Sequence, residues 1–460
     1  MTIWTPFLPE DRPKYLGLAD AIEADLAKGR LVPGQRLPTH RDLADVLGVT
    51  VGTVTRGYAE AARRGSVRGE VGRGTIICPS ENGTIPWWGG GQDSRQSIDL
   101  GLVTGMYGLD PDLGAALSEL AARPDAQDFL RYQPSRGMAR HREAGALWCS
   151  RFGVAAHPEQ VLVTAGGQHA LLVLLSVLFR PGDRVAAGNV NYPGLMSAAA
   201  LLGIKLVPVA LDVEGVVPEA LEEACAREGV RGLYCMPGAH NPTTATPGAA
   251  RQGRLAELAR SRNLLVIEDA AYALTAESPL FSLANLAPER TFFIASVSKM
   301  VAGGLRVAFV KSPPEQVERL GLGITGTTWM ASPLCAEIAA SWILNGMADA
   351  TMRRKRSEAA RRNDVAGKVL AGRDFLGLKN GYFIWLALPE PWRASDFERA
   401  AGLRGVVVIA GDAFAVGQTP APASVRVSLS AARSREELER GLGVLAELLG
   451  EAPRPGRAIV

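Results

Sequence analysis

From Ile98 onward, short apolar runs with the composition of β-strands alternate with helical runs over most of the chain. VLVTAGG precedes QHALLVLLSVLF, DRVAAG precedes GLMSAAALLG, and the strand-like runs LLVIED and FFIAS follow later. Strands and helices that alternate in this way form a mainly parallel, doubly wound sheet, which collects ligands at the carboxyl ends of its strands. The sequence therefore predicts an α/β fold with a ligand site at that edge.

Length and composition limit the classes of protein to consider. With 460 residues, of which 47% are hydrophobic and 21% charged, the chain is globular and long enough for two or three domains. A net charge of +3 does not by itself indicate a nucleic-acid partner. The five cysteines are scattered without a C-x-x-C pair, which indicates a reducing compartment. We therefore expect neither disulfides nor a metal site.

The sequence predicts no targeting or membrane segment. The first residues, MTIWTPFLPEDRPKY, lack the basic and apolar parts of a secretory signal. The most apolar stretch, residues 170–179, has about half of the length that a bilayer-spanning helix needs. We expect a soluble, cytoplasmic protein without a membrane partner.

Changes in composition predict the domain boundaries. Residues 13–78 form a first module, and residues 79–97, with Pro, Gly, Ser and Asn and no apolar periodicity, are interpreted as a linker. Residues 98–450 form the α/β module, and its part from about 345 to 450 is a smaller C-terminal α/β subdomain. Residues 451–460 are a tail.

The first module has the outline of a helix-turn-helix. Apolar positions recur at helical spacing from Tyr15 to Lys28, and Gly29 ends this helix. Thr39 is placed to cap the helix of THRDLADVLG, and Thr50 the helix of VGTVTRGYAEAARRG. The strings SVRGE and VGRGTII then predict a hairpin. Two short helices joined by a glycine turn are the outline of a DNA-binding motif.

The string GRLVPGQRLPTHRDLADVLGVTVGTVTRGY, with the later GSVRGEVGRGTII, resembles the winged helix of GntR-type repressors over its whole length. The resemblance implies a double-stranded DNA operator as partner. Between Gly48 and Cys78 there are five arginines and two glutamates, and arginine suits phosphates and base edges. A solvated helix face is the alternative for these arginines, and the motif outweighs it. The DNA contacts that the resemblance implies are Arg41, Thr50, Thr53 and Arg56 in the helices and Arg68, Arg73 and Gly74 in the wing.

The stretch FFIASVSKMVAGGLRVAFV places Lys299 between two apolar runs, which we interpret as buried parallel strands. Lost hydration would lower the pKa of Lys299 and favour the neutral amine that Schiff-base chemistry needs. A surface loop with a solvated lysine explains the same residues equally well. The stretch alone leaves both interpretations open.

Other polar motifs also follow strand-like runs. The Gly-Gly pair of VTAGGQHALLVLL stands at the start of a helix, where free backbone N–H groups attract a phosphate. EDAAY follows the buried run LLVI, and a buried carboxylate there needs a partner. Both motifs fall where the predicted sheet collects its ligands.

The S-x-S-K motif followed seven residues later by Arg resembles the cofactor-lysine motif of fold-type I pyridoxal-phosphate enzymes, the aspartate aminotransferase superfamily. Further family motifs follow in family order over roughly residues 98–449, although Thr244 replaces the glycine of the N-P-T-G turn. The resemblance implies pyridoxal 5'-phosphate as cofactor, held as an aldimine on Lys299, with Asp269 paired to the pyridine nitrogen and Tyr272 as third catalytic residue. The other cofactor ligands that it implies are Gly167, Gln168, Tyr192, Asn241, Ser296, Arg306 and Tyr132.

Two of these matches bear on partners. RYQPSRG resembles the segment whose tyrosine, here Tyr132, reaches the phosphate of the partner subunit, which implies a homodimer with shared sites. SVRVSLS matches the strand whose arginine, here Arg426, binds the carboxylate of a substrate through its planar fork. An arginine exposed at a strand edge is the alternative for Arg426.

The charged run RRKRSEAARRND, residues 353–364, has alternating signs and no aromatic residue. We interpret it as the solvated face of a helix.

A GntR-like winged helix fused to an aminotransferase-like domain is similar to the MocR family of bacterial transcriptional regulators. The resemblance implies a pyridoxal-phosphate-dependent regulator that senses a small amino compound by aldimine exchange at Lys299. The alternative is an aminotransferase for amino acids and 2-oxo acids with an appended winged helix, since no catalytic residue is missing. A purely structural or interaction protein is a third interpretation. The sequence leaves open whether the chain is an enzyme.

Overall fold

The computed structural model describes residues 4–8, 13–27, 30–31, 35–63, 66–70, 74–77, 97–276, 280–417, 419–420 and 422–451. The chain divides into two compact units, residues 1–91 with 454–460, and residues 92–453. Apart from residue 97, the predicted linker lies outside the described residues, as does Arg73 of the wing. Of Arg68 the backbone alone is described.

The first unit contains helices α1 (Lys14–Ala27), α2 (His40–Leu47) and α3 (Val51–Arg63), followed by an antiparallel hairpin of β1 (Val67–Glu70) and β2 (Gly74–Ile77). Thr39 caps α2 by accepting a hydrogen bond from the N–H of Asp42, and Gly48 ends it with φ of 60°. The Thr50 hydroxyl accepts the N–H of Thr53 at 3.2 Å where α3 begins. The predicted helix-turn-helix and hairpin are confirmed.

The helices of the larger unit are amphipathic or buried elements that cover its sheets. They are α4 (Leu113–Ala121), α5 (Ala139–Arg151), α6 (Gly167–Leu178), α7 (Pro193–Leu201), α8 (Pro218–Glu228), α9 (Ala249–Ser261), α10 (Leu283–Leu286), α11 (Val317–Thr325), α12 (Pro333–Leu344), α13 (Met347–Val369), α14 (Ala394–Leu403) and α15 (Arg435–Leu449). Within the described ranges, none of the helices has both the length and the apolar composition that a membrane span requires.

The strands of the larger unit are short and mostly buried. They are β3 (Ile98–Asp99), β4 (Val161–Thr164), β5 (Arg184–Gly188), β6 (Lys205–Val209), β7 (Leu211–Asp212), β8 (Gly215–Val216), β9 (Gly232–Cys235), β10 (Leu265–Asp269), β11 (Thr291–Ser296), β12 (Ala308–Lys311), β13 (Phe375–Gly377), β14 (Phe383–Ala387), β15 (Val406–Val407), β16 (Ile409–Ala410) and β17 (Ser424–Ser428).

Seven strands form the large sheet in the order β4-β12-β11-β10-β9-β5-β6. Neighbouring strands are parallel except at β12, which runs antiparallel to both β11 and β4. The predicted mainly parallel sheet is confirmed, but the interpretation of residues 307–310 as a parallel strand is wrong. The connection from β11 to β12 contains no α-helix that would carry the chain across the sheet, so β12 returns in the opposite direction.

A second sheet, in the order β13-β14-β17-β16, packs with α14 and α15 around a separate hydrophobic core. The short strand β3 pairs in parallel with β15, and Leu100 belongs to this second core. The chain therefore contributes to the second subdomain both before and after the large sheet. This crossing places residues 98–104 beside both cores.

The charged run of residues 353–364 lies on α13 and is not a solvated face throughout. The Lys355 side chain is 0% exposed, and its Nζ donates to Oδ1 of Asp110 at 2.5 Å and to the carbonyl of Val301 at 2.7 Å. Arg362 is 6% exposed and donates to the carbonyls of Leu429 and Ala432. The interpretation fails at these two positions because acceptors far away in the sequence satisfy the buried charges.

Candidate cofactor site and DNA-binding module

The polar residues that the sequence singles out are gathered at one edge of the large sheet. Asp269 is the last residue of β10 and Ser296 the last of β11, and these strands run parallel. Gly167 begins α6 after β4, Tyr192 precedes α7 after β5, and Asn241 follows β9. A doubly wound sheet binds its ligands at this edge.

Lys299 follows β11, and its side chain is partly buried rather than extended into solvent. Its Nζ donates to the carbonyl oxygen of Val103 at 2.6 Å and lies 5.4 Å from the centroid of the Tyr272 ring. Burial, followed by the positive charges of Arg426 and Arg306, lowers the pKa of Lys299 to about 8. The neutral, nucleophilic amine is therefore well populated near pH 8.

Asp269 is 7% exposed, and both of its carboxylate oxygens accept hydrogen bonds. Oδ2 accepts from the hydroxyl of Tyr234 at 2.9 Å, and Oδ1 accepts from the N–H of Ala271 at 3.1 Å. Burial raises the pKa of Asp269, while these two donors and the charge of Lys299 act in the opposite direction. A cationic ring nitrogen would supply the missing compensation. The sequence did not predict the role of Tyr234, which is fully buried on β9.

Tyr272 is 6% exposed and completes the wall beside Lys299. Its ring packs edge-on against Phe383 with 5.1 Å between the centroids. Burial, opposed by the charge of Arg426, raises the pKa of Tyr272 to about 12. The phenol therefore stays protonated at neutral pH and remains a hydrogen-bond donor.

A cradle for an anion forms where α6 begins. Gly166 has φ of 87°, and a Cβ at this position would lie 2.6 Å from Nη2 of Arg306, so the guanidinium occupies space that glycine leaves free. A Cβ on Gly167 would lie 3.8 Å from the Cβ of Ser296. The hydroxyls of Ser296 and Ser298 are 3.1 Å apart. Helix N–H groups, hydroxyls and a guanidinium together match a phosphate.

Gln168 and Tyr192 meet around Gly194 at one side of the cradle. Gln168 Nε2 donates to the carbonyl of Gly194 at 2.8 Å, and a Cβ on Gly194 would lie 2.3 Å from Cε1 of Tyr192. Burial, followed by the nearby Tyr272 and Asp269, raises the pKa of Tyr192. The Tyr192 phenol is therefore neutral and lies close to the carboxylate of Asp269.

Arg426, on β17 of the second sheet, is a buried cation that reaches the large subdomain. Nη1 donates to Oδ1 of Asn241 and Nη2 to the carbonyl of Gly101, both at 2.8 Å, and the guanidinium lies 4.8 Å from the ring centroid of Phe414. The residue is 6% exposed, and its Nε has no hydrogen-bond partner among the described residues. Burial lowers the pKa of Arg426. Arg426 is therefore not an arginine exposed at a strand edge, which was the alternative interpretation.

The turn AHNPTT, residues 239–244, places Asn241 beside Arg426. Thr244, which stands where the superfamily has glycine, has φ of 61° and so adopts the left-handed conformation that glycine favours. The substitution therefore keeps the turn. His240, beside Asn241, is buried, and this burial lowers the pKa of His240 to about 4, so the imidazole is neutral.

Tyr132 does not join this buried cluster within one chain. The residue is 82% exposed, and its ring centroid lies 5.9 Å from that of Trp329, which is itself 56% exposed.

In the first unit, the guanidinium carbon of Arg56 lies 4.5 Å from the centroid of the Tyr15 ring, so part of its charge is already engaged on α1. The Thr50 and Thr53 hydroxyls lie 2.9 Å apart and face each other in the first turn of α3. The predicted DNA contacts whose exposure the structure describes are all exposed or partly exposed: Arg41, Thr50, Thr53, Arg56 and Gly74.

Metal and disulfide chemistry have no site in the described part of the chain. No group of three or more His, Cys, Asp or Glu side chains there could hold a metal ion. The cysteines that the structure describes, Cys149, Cys225, Cys235 and Cys335, are free thiols.

Comparison with known proteins accounts for both units. Residues 99–445 match the family of aminotransferase class I and II, and residues 14–77 match the bacterial regulatory proteins of the gntR family. The uncharacterized HTH-type transcriptional regulator YdeF of Bacillus subtilis (strain 168) is 32% identical, over 97% of this chain and 97% of its own. The chain belongs to the MocR-type transcriptional regulators. As a MocR-type regulator it joins a DNA-binding domain to an aminotransferase fold.

Two further relatives differ from each other in their described roles. The vitamin B6 salvage pathway transcriptional repressor PtsJ of Salmonella typhimurium is 27% identical over 91% of this MocR-type chain and 94% of its own. The 2-aminoadipate transaminase of Thermus thermophilus is 32% identical over 64% of this chain and 75% of its own. Regulators and an enzyme are therefore both similar to this chain.

Solved structures of aminotransferases share the fold of the larger unit. The α-aminoadipate aminotransferase LysN of Thermus thermophilus, complexed with N-(5'-phosphopyridoxyl)-L-leucine, is 29% identical, with a TM-score of 0.69 over 77% of this chain and 92% of its own. An archaeal alanine:glyoxylate aminotransferase is 25% identical, with a TM-score of 0.71 over 77% and 91% of the two chains.

Pyridoxal 5'-phosphate is the cofactor of this MocR-type regulator. The residues present fit it: Gly166 leaves space for the Arg306 guanidinium to lie beside the start of α6, where an anion would bind, and Asp269 is a buried carboxylate that could pair with a cationic ring nitrogen. Lys299 supplies an amine with a lowered pKa beside them. The chain is a pyridoxal-phosphate-dependent transcriptional regulator with a DNA-binding domain.

Proposed function

We propose that this regulator senses a small amino compound that carries a carboxylate and takes the place of Lys299 on the cofactor. The observation that carries the proposal is Arg426, a buried guanidinium whose bound acceptors, on Asn241 and Gly101, are both uncharged. A buried cation is costly without an anionic partner, and a carboxylate fits the planar fork of arginine. Arg426 is also close enough to Lys299 for its charge to lower the pKa of that lysine.

The residues around Lys299 bind and orient the cofactor. Pyridoxal phosphate, when bound, supplies an aldehyde carbon that bonds reversibly to amines and a ring that withdraws electrons. The cradle at Gly167 and Arg306 would hold the phosphate, and Asp269, held by Tyr234, would keep the ring nitrogen protonated. Lys299 would hold the cofactor through its neutral amine, and an amino compound would compete with that amine for the aldehyde group.

The contacts of residues 99–104 support a route from the ligand to the second subdomain. Gly101 provides a carbonyl to Arg426, and Val103 provides a carbonyl to Lys299. The N–H and the hydroxyl of Thr104 bond to Ser430, which follows β17. The carboxylate of such a ligand would compete with the Gly101 carbonyl for Arg426, and its amine would displace Lys299 from the cofactor. The ligand would therefore act on residues 99–104 at two points. Its differential affinity would shift the equilibrium between two arrangements of the subdomains.

We further propose that the regulator is a cytoplasmic homodimer that binds a repeated operator. The exposed pair of Tyr132 and Trp329 supports a dimer interface through which Tyr132 reaches the phosphate of the partner subunit. Two winged helices on one dimer would bind two half-sites at once, which raises affinity by effective concentration.

A second candidate function is transamination. The resemblance to the 2-aminoadipate transaminase and the presence of Lys299, Asp269 and Arg426 support it. A sensor returns the amino compound unchanged, whereas an aminotransferase converts it to a 2-oxo acid.

The test combines visible absorbance with DNA retardation on the region upstream of the gene. Purified protein is titrated with amino acids, amines, 2-oxo acids, and pyridoxal phosphate alone. An amino acid that changes the absorbance and the retardation together, without forming a 2-oxo acid, supports the sensor. Turnover of the amino acid with no retardation at low salt supports the enzyme. A response to pyridoxal phosphate alone would make the cofactor itself the signal, as the names of vitamin B6 regulators among the relatives suggest.

A further inference from the structure

Residues 35–37, just before α2, pair with β2 and so add a third strand to the wing hairpin. The N–H of Leu37 donates to the carbonyl of Thr75, and the N–H of Ile77 donates to the carbonyl of Gln35, both at 2.9 Å. Arg36 therefore lies opposite Ile76 in antiparallel register. Leu37 is 2% exposed and faces the core, so its neighbour Arg36 points to the other side of the strand, where it is exposed.

The Arg36 guanidinium lies at the end of the hairpin where β2 begins. A Cβ on Gly74 would lie 3.0 Å from Nε and 3.3 Å from Nη2 of Arg36, and Gly74 has φ of 89°. The absence of a side chain at Gly74 thus lets the guanidinium lie against the backbone of the wing. This contact with an uncharged backbone fixes the position of the guanidinium and does not neutralise its positive charge.

The same segment is joined to α3 on its other side. The Tyr58 hydroxyl, on α3, donates to the carbonyl of Pro38 at 2.9 Å, and the ring of Tyr58 lies 5.0 Å from that of His40. Thr55, also on α3, has its hydroxyl 3.5 Å from Nδ1 of His40. Arg36 is therefore held in the strand that connects the wing with the helix expected to enter the major groove.

We propose that Arg36 binds a phosphate of the DNA backbone that passes between α3 and the wing. The proposal rests on the DNA-binding function of this unit. When a helix occupies one groove and a hairpin the next, the sugar-phosphate strand between the grooves passes over the protein segment that joins them. A planar guanidinium suits a phosphate there, and a backbone phosphate carries no base identity. Arg36 thus sets the register of the unit on DNA and contributes affinity without selecting the sequence.

The test compares Arg36→Gln with Arg30→Gln in the full-length protein. Arg30 is a matched control, because its side chain is 62% exposed and pairs with Asp25 at 2.8 Å. Both variants lose one positive charge from the same unit. We expect Arg36→Gln to weaken retardation of operator and unrelated DNA alike, by about tenfold at low salt. It should also reduce the slope of log affinity against log salt by about 1, whereas Arg30→Gln should leave the slope unchanged.

Ethylation interference on the operator locates the contact. In each half-site, one phosphate whose ethylation blocks wild-type binding should lose this effect with Arg36→Gln. Arg36→Lys, which keeps the charge, should keep the salt slope and lose part of the affinity. Circular dichroism of the variants checks that the unit stays folded.

Two results would overturn the proposal. Equal affinities and salt slopes for Arg36→Gln and the wild type would remove Arg36 from the interface while leaving DNA binding intact. A selective loss at the operator, with unchanged binding to unrelated DNA, would make Arg36 a base reader. Failure of the wild type to bind any DNA would instead overturn the regulatory function itself, so the two failures are distinguishable.

Discussion

The hydroxyl of Tyr234 donates a 2.9 Å hydrogen bond to Oδ2 of Asp269, and this contact joins two neighbouring parallel strands at the ligand edge of the sheet. Burial raises the pKa of Asp269, and this donor is the largest of the effects that oppose the rise. Tyr234 therefore helps to keep the carboxylate charged where a pyridinium nitrogen would need it.

Tyr234→Phe should weaken the binding of pyridoxal phosphate, more strongly at low pH than at high pH. Removing the donor raises the pKa of Asp269 further, so the protonated, unsuitable carboxyl becomes more populated as pH falls. Titration of the apoprotein with the cofactor between pH 6 and pH 8.5, followed by visible absorbance, measures the effect. Tyr107→Phe is the control, since Tyr107 is 62% exposed. A loss of affinity that does not vary with pH would assign Tyr234 a packing role only.

The attachment of pyridoxal phosphate to Lys299 should accelerate as pH rises through about 8, which is the lowered pKa of its amine. Below this pH the amine is protonated and cannot attack the aldehyde; above it the neutral form predominates. Arg426→Gln removes a positive neighbour that lowers the pKa of Lys299, so the midpoint should move to higher pH. Rates of absorbance change in the apoprotein between pH 6.5 and pH 10 test both statements. A midpoint above pH 10 in the wild type would contradict them.

Arg426→Lys should reduce the apparent affinity for amino acids by about tenfold or more, because a bidentate, charge-assisted contact is lost. Amines without a carboxylate should bind equally well to the variant and the wild type. The measurement is the absorbance titration with an amino acid and its decarboxylated amine as a pair. Arg435→Lys, at a side chain that is 49% exposed, serves as control. Equal losses for both ligands would place the carboxylate elsewhere.

Glu337→Gln should destabilise the larger unit by about 1.5–3 kcal/mol, because the charge-assisted hydrogen bonds of a buried carboxylate are weakened. The Glu337 side chain is 1% exposed, and its carboxylate accepts from Arg123 at 2.5 Å, Arg140 at 3.0 Å and His141 at 3.0 Å. Denaturant unfolding measures the change. Glu318→Gln, at a side chain that is 83% exposed and paired with Arg136, should cost less than about 1 kcal/mol.

The same cluster predicts an acid-sensitive stability. Burial acts to raise the pKa of Glu337, but the hydrogen bonds from His141, Arg123 and Arg140 outweigh it and lower the pKa to about 2. A carboxyl with a depressed pKa in the folded state contributes stability above its ordinary value of 4.5, and this contribution is lost as pH falls toward 2. The wild type should therefore lose more stability than Glu337→Gln between pH 5 and pH 2.5. Parallel losses would contradict the depressed pKa.

Lys299→Ala should abolish the absorbance of the lysine-bound cofactor and leave basal DNA retardation intact. Arg56→Ala should do the reverse, since the two residues belong to separate compact units. Each variant is measured in both assays. If either one lost both functions, the units would not be independent modules.

Local signals in the sequence identified the elements that depend on near neighbours. Thr39 starts α2 and Gly48 ends it, because a cap and a left-handed residue act within one turn of the helix. The edge position of Asp269, Ser296 and Gly167 followed from the rule that motifs after parallel strands share one edge. The antiparallel course of β12 was missed, because the strand pattern of residues 307–310 is the same in either direction.

The sequence did not predict contacts between residues that lie far apart in the chain. Tyr234 contacts Asp269 because strand register sets Tyr234 opposite Ile267, whose side chain shares a face with that of Asp269 two residues on. Nothing in the run GLYC fixes that register. Lys355 was interpreted as solvated because its neighbours on α13 are charged, whereas its partner Asp110 is 245 residues away.

The sequence by itself determined the kinds of chemistry present: a helix-turn-helix with its caps, a doubly wound sheet, and a lysine, a carboxylate and a phosphate cradle in family order. Those features depend on local conformation and on strand polarity, which a run of residues encodes directly. Only the tertiary structure decided the charge balance of the site, through Tyr234 on Asp269, Arg426 between Asn241 and Gly101, and Lys355 on Asp110. A buried charge is tolerated according to the partners that folding brings to it, and those partners come from distant parts of the chain.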